Sequence, residues 1–147
     1  MKLSDIKASS NVNVSGKYGG TSLHWVVRNG NIEMMKLLIK EQIMAIVNVA
    51  DNYGWTPLLL AVEKNNTKMA KLLIKAGTIE DVNIADNYGE TPLFRATYNS
   101  NIEIAKLLLN LGADINITNN DGKTPLHLAT SKNNTEIIEL LEKAGTS

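Results

Sequence analysis

Two histidines, His24 and His127, are the side chains of this sequence best suited to proton transfer or metal ligation near neutral pH. Either role needs a companion: a nucleophile or carboxylate for acid–base work, or two further ligands for a metal. The chain has no cysteine, which removes disulfides, thiolate metal sites and cysteine nucleophiles. Its 15 Asp and Glu residues follow no metal-binding spacing. Its glycines are isolated from one another in function, so no loop cradles a phosphate. Both histidines close the same four-residue segment, Thr21-Ser22-Leu23-His24 and Thr124-Pro125-Leu126-His127, which ties them to a repeated pattern. No catalytic residue, cofactor or metal site is expected.

The elements that hold these residues recur. The segments Thr21-Ser22-Leu23-His24, Thr56-Pro57-Leu58-Leu59, Thr91-Pro92-Leu93-Phe94 and Thr124-Pro125-Leu126-His127 follow one another at intervals of 35, 35 and 33 residues. A glycine stands two residues before each Thr (Gly19, Gly54, Gly89, Gly122), and Gly16, Asp51, Asp86 and Asn119 stand five before it. Each unit continues into Lys36-Leu37-Leu38-Ile39, Lys71-Leu72-Leu73-Ile74, Lys106-Leu107-Leu108-Leu109 or Glu139-Leu140-Leu141. The chemistry of each position is definite. Glycine supplies a positive φ in a tight turn, and Asp or Asn at the turn start bonds its own backbone. Thr caps a short helix and Pro takes its first position, where a missing N–H costs nothing. Gly30, Asn65, Ser100 and Asn133 break the chain before a second helix, whose apolar residues Ile102, Ile104, Ala105, Leu107 and Leu108 fall on one broad face. If units stack about 10 Å apart, as packed helices do, the two imidazoles lie about 30 Å apart and share neither metal nor substrate.

Hydrophobic residues make up 44% of the chain and charged residues 20%, a balance that supports a packed core. Lys+Arg and Asp+Glu are both 15, and the lysines form no continuous basic run, so nucleic acid and acidic membranes are not expected partners. Lysine outnumbers arginine thirteen to two, with Asn and Ile abundant, as AT-rich coding would produce. No apolar run follows Lys2, and runs such as Ile43 to Val47 are too short to cross a bilayer. The expected location is the cytoplasm, of the source cell or of a host cell reached without a signal peptide.

The Asp-x-x-Gly-x-Thr-Pro-Leu-His pattern, the small residues after it, the Leu-Leu stretch and the ending Gly112-Ala113-Asp114-Ile115-Asn116 resemble the ankyrin-repeat family. The resemblance implies an all-α fold: a short solenoid of four stacked helix-turn-helix repeats with β-turn fingers and partial end caps. As one domain over 1–147 it would divide into an N-terminal half-unit (1–15), repeats at 16–50, 51–85 and 86–118, and a fourth repeat with a C-terminal cap (119–147). The first unit departs most, with Gly16 for Asp, Ser22 for Pro and Val26-Val27 for the small pair. Units one and two carry two extra residues, around Gln42 to Ala45 and Thr78 to Asp81. The resemblance assigns His24 and His127 to bonds with neighbouring backbone. Leu59 and Phe94 at the same offset agree that the slot needs no imidazole.

In this family partners are gripped by the fingers and first helices, which form the concave face. Carried over by position, the candidate partner-binding residues are Tyr18, Arg28, Tyr53, Trp55, Glu63, Lys64, Tyr88, Glu90, Arg95 and Tyr98. Five of the seven aromatic residues fall in these slots, and Trp, Tyr and Arg are enriched at binding hot spots. The Tyr18, Tyr53, Tyr88 series has an equal reading as a relic of repeat duplication, because Asp51-Asn52-Tyr53-Gly54 recurs as Asp86-Asn87-Tyr88-Gly89. Trp55 stands alone at its offset, against Gly20, Glu90 and Lys123, and reads as a contact. Trp25 and the Met34-Met35 pair read as packing. The expected function is a monomeric, non-catalytic module that binds a protein partner on this face. The alternatives are an inhibitor, antitoxin or effector that regulates an enzyme, and a self-associating structural protein.

Overall fold

The computed structural model describes residues 20–41, 49–76 and 81–146. The chain forms two compact units, Met1–Glu80 and Asp81–Ser147. Among the described residues every regular element is a helix. The first unit contains α1 (Ser22–Arg28), α2 (Ile32–Lys40), α3 (Pro57–Glu63) and α4 (Thr67–Lys75), and the second contains α5 (Pro92–Tyr98), α6 (Ile102–Asn110), α7 (Pro125–Ser131) and α8 (Thr135–Gly145). In each unit the helices form two hairpins. The hairpins stack with first helix on first helix (α1 on α3, α5 on α7) and second on second (α2 on α4, α6 on α8).

The short first helices start where the Thr motif requires. Thr21, Thr56, Thr91 and Thr124 are extended N-cap residues whose hydroxyls accept from the backbone N–H three residues on. Pro57, Pro92 and Pro125 then open their helices. A cap of this kind contributes about 1 kcal/mol, a large share of what a seven-residue helix gains by itself. Just past the C-cap of each first helix stands a residue with positive φ: Gly30 at 64°, Asn65 at 55°, Ser100 at 55° and Asn133 at 53°. Asn31, Asn66, Asn101 and Asn134 follow and cap the second helices, their side-chain oxygens accepting from Met34, Met69, Ile104 and Ile137 N–H. Much of the asparagine that reads as coding bias therefore has a structural task.

The second helices supply the larger core side chains. Met35, Leu38, Met69 and Leu73 are buried in the first unit, and Ile104, Leu108, Ile137 and Leu141 in the second. Val26, Leu59 and Leu60 are buried with them in one unit and Leu93, Phe94 and Ala129 in the other. Met35 is fully buried and Met34 half-buried, in keeping with a packing role for the pair. On α8, Glu136, Glu139, Glu142 and Lys143 are all exposed.

Candidate functional site

The turns before α3, α5 and α7 share one construction. Asp51 N–H donates to Trp55 O, and Gly54 N–H to Asp51 O; the same two bonds join Asp86, Glu90 and Gly89, and Asn119, Lys123 and Gly122. The side chain of the first residue fills the turn. Asp51 Oδ1 accepts from Tyr53 and Trp55 N–H, Asp86 Oδ1 from Tyr88 and Glu90 N–H, and Asn119 Oδ1 from Asp121 and Lys123 N–H, at 2.9–3.0 Å. Each turn thus presents two side chains at fixed places, Tyr53 and Trp55, then Tyr88 and Glu90, then Asp121 and Lys123. Gly54, Gly89 and Gly122 hold φ of 77°, 75° and 74°.

Five of the candidate residues meet on the first unit. Arg28, Tyr53, Trp55, Glu63 and Lys64 line one open pocket of about 460 Å³. The Tyr53 and Trp55 rings lie 5.2 Å apart, tilted by 33°. Tyr53 is 42% exposed and Trp55 half-buried. Arg28 has an internal duty here: its Nη2 stands 3.3 Å from Asp51 Oδ2, whose side chain is fully buried. That bond joins the end of α1 to the next turn and neutralises a carboxylate that would otherwise be costly to bury.

His24 makes the second tie between the same two elements. Its ring is fully buried. Thr21 N–H donates to Nδ1 at 3.1 Å, so that nitrogen is the acceptor. Nε2 then carries the proton and donates to Trp55 O at 2.6 Å. Burial pulls the imidazole pKa below its ordinary 6.5, against the opposing effects of the Trp55 carbonyl and of Asp51. His24 is thus a backbone clamp behind the Trp55 pocket. His127 makes the same cap contact to Thr124 N–H, yet is exposed.

On the second unit the corresponding positions differ in chemistry. Glu90 occupies the Trp55 place and Arg95 the Leu60 place, and the two form a 2.8 Å ion pair with each side chain only 18% exposed. An apolar pair is thereby exchanged for a charged one at the same offsets. Tyr98, 50% exposed, ends α5. The Arg95 guanidinium lies 4.7 Å and Lys132 Nζ 4.5 Å from its ring centroid, and Lys132 also donates to Tyr98 O. Lys132 is absent from the sequence-derived set; its link to Tyr98 is a contact between successive repeats, which no local pattern encodes. Tyr88 is the most exposed candidate, at 63%. Adjacent turns are clamped by Asn120, whose N–H donates to Tyr88 O and whose Nδ2 donates to Asn87 O. Tyr18, the half-unit at 1–15 and most of both insertions (42–45 and 78–80) lie outside the described residues.

Among the described residues no group of three His, Asp or Glu gathers in a way that could hold a metal ion. No helix among them is long and apolar enough to cross a membrane. The family model for ankyrin repeats, in its three-copy form, matches residues 3–86 and again 78–147. The chain therefore belongs to the ankyrin-repeat family, whose members generally serve as protein–protein interaction modules. No curated protein matches the chain.

Proposed function

We propose that this chain is a binding module without catalytic activity of its own, which holds a protein partner on its finger and first-helix surfaces. Tyr18, Tyr53, Trp55, Tyr88 and Tyr98 supply contact area in this reading, and Arg28, Glu63, Lys64, Glu90 and Arg95 set charge selectivity. The module acts as a monomer in the cytoplasm. The observation that carries the reading is the pocket of the first unit, where an aromatic pair and three charged side chains surround one opening. Rigid aromatics beside charged groups are the composition of interface anchors. Exposure of Tyr88 and Tyr98 supports the same role on the second unit. Arg28 and Arg95 enter this role already held by Asp51 and Glu90, so they present oriented guanidinium groups and lose little freedom on binding.

The test is capture of partners from lysate by the wild type beside Trp55→Ala/Tyr88→Ala. The backbone of Trp55, and with it the His24 bond, survives truncation of its side chain. Helicity should therefore be retained. An anchoring aromatic contributes about 2 kcal/mol or more, so the double variant should lose a captured partner by roughly thirtyfold or more in affinity. Equal capture by both proteins would overturn the proposal.

A further inference from the structure

The second-helix face of the Asp81–Ser147 unit bears a groove that the function proposed above does not use. Its walls are α6 and α8. Two pockets of about 270 and 420 Å³ share Lys106, Leu140 and Lys143. Leu140 is half-buried, as are Ile102 at one end of the groove and Leu109 and Ala144 at the other, so the floor is an apolar strip. Lys106 and Lys143 are exposed, and each lines both pockets.

The charges around this strip are exposed and make no ion pair with one another. Among the described residues neither lysine ammonium has an ion pair, hydrogen bond or ring contact. Glu139 precedes Lys143 by four residues, the spacing and order most favourable for a helix pair, yet the two do not pair. Glu136 and Glu139 line the Ile102 pocket alone. The groove is thus polarised: both cations stand at its shared centre and both carboxylates at one end. A carboxylate that arrives with apolar side chains at this shared centre meets charge of opposite sign.

We infer that this groove docks an acidic amphipathic segment of a partner protein. Apolar side chains of the segment, spaced as on one helix face, lie over Ile102, Leu109 and Leu140, and a carboxylate near its middle or far end meets Lys106 and Lys143. The end of the segment over Glu136 and Glu139 carries no acid. A run of phosphates fits poorly, because those same two carboxylates would repel it. The groove is lined by neither Trp55 nor Tyr88, so its failure and the failure of the finger reading are distinguishable.

The probe is a synthetic helical peptide of about 14 residues, with leucines at i, i+4 and i+7 and two glutamates toward one end. A twin carries lysines in place of the glutamates. Each is titrated into the isotope-labelled full chain and followed by amide chemical shifts. The acidic peptide should shift Lys106, Leu109, Leu140 and Lys143, weaken as salt is raised, and bind Trp55→Ala/Tyr88→Ala as well as it binds the wild type. Lys106→Glu/Lys143→Glu should lose at least about tenfold in affinity for the acidic peptide and gain affinity for its lysine twin. Lys106→Gln/Lys143→Gln, which removes charge without reversing it, repeats the test if the reversal lowers helicity. Absence of groove shifts, or equal binding of the two peptides, would overturn the inference. So would concentration-dependent self-association of the chain that the lysine variants abolish, because the occupant would then be a second copy.

Discussion

His24 and His127 occupy the same motif position and make the same cap contact, yet tertiary surroundings separate them. His24 is buried and donates to Trp55 O, whereas His127 is exposed. Because burial lowers the His24 pKa, the unfolded chain binds the proton more readily than the folded one. Stability from this residue is therefore complete above about pH 6.5 and declines as pH falls below 6.5 toward the lowered folded value. The melting temperature should drop between pH 7 and 5, and His24→Leu should flatten that slope. An equal slope in His24→Leu would show that the clamp does not govern acid sensitivity. At pH 7 the same substitution leaves Trp55 O and Thr21 N–H without their imidazole partner, a cost of about 1–3 kcal/mol. The presence of a His at position 24 was legible in the sequence, and so was its assignment to backbone. Its burial was not, because burial depends on the next turn closing over it.

At the scale of elements, the turns are nearly determined by local chemistry. Asp51, Asp86 and Asn119 satisfy the turn amides, Gly54, Gly89 and Gly122 take positive φ, and Thr caps follow at the expected places. The equivalence has a limit that can be measured. A Cβ on Gly122 would meet nothing within 4 Å, whereas one on Gly89 would come within 2.7 Å of Asn120 Oδ1 and 3.0 Å of Asn120 N. Both glycines share the same backbone conformation, so Gly122→Ala should cost about 1–2 kcal/mol of strain. Gly89→Ala should cost at least about 1 kcal/mol more, from the clash and the weakened Asn120 clamp. Urea unfolding of the two variants checks the difference; equal losses would mean that the clamp gives way without cost. The asparagine caps Asn31, Asn66, Asn101 and Asn134 were also written in the sequence as a residue following each helix break. Abundant asparagine elsewhere in the chain masked that signal.

At the scale of the molecule, neither hairpin of a unit buries its own apolar face, and stacking of like helices completes the core. Leu108 on α6 is fully buried in the second unit, in the layer where α6 meets α8. Leu108→Ala should cost about 2–5 kcal/mol, and amide exchange should quicken most in α5 to α8. A uniform loss of protection along the whole chain would instead mean one all-or-none unit. Family, helix class, turn chemistry and helix breaks were legible in the sequence by itself, because each rests on backbone preferences that act over a few residues and recur with the repeat. The tertiary structure alone decided what stands beside what. It brought Arg28 from α1, and Glu63 and its neighbour Lys64 from the end of α3, to the same opening as Tyr53 and Trp55, held Arg28 on a buried Asp51, and set Lys132 over Tyr98. Among the described residues it also left Lys106 and Lys143 without an ion pair beside an apolar strip. The physical reason is that these relations join residues on different elements, ten or more positions apart in most cases, and packing between elements, not local propensity, determines such distances.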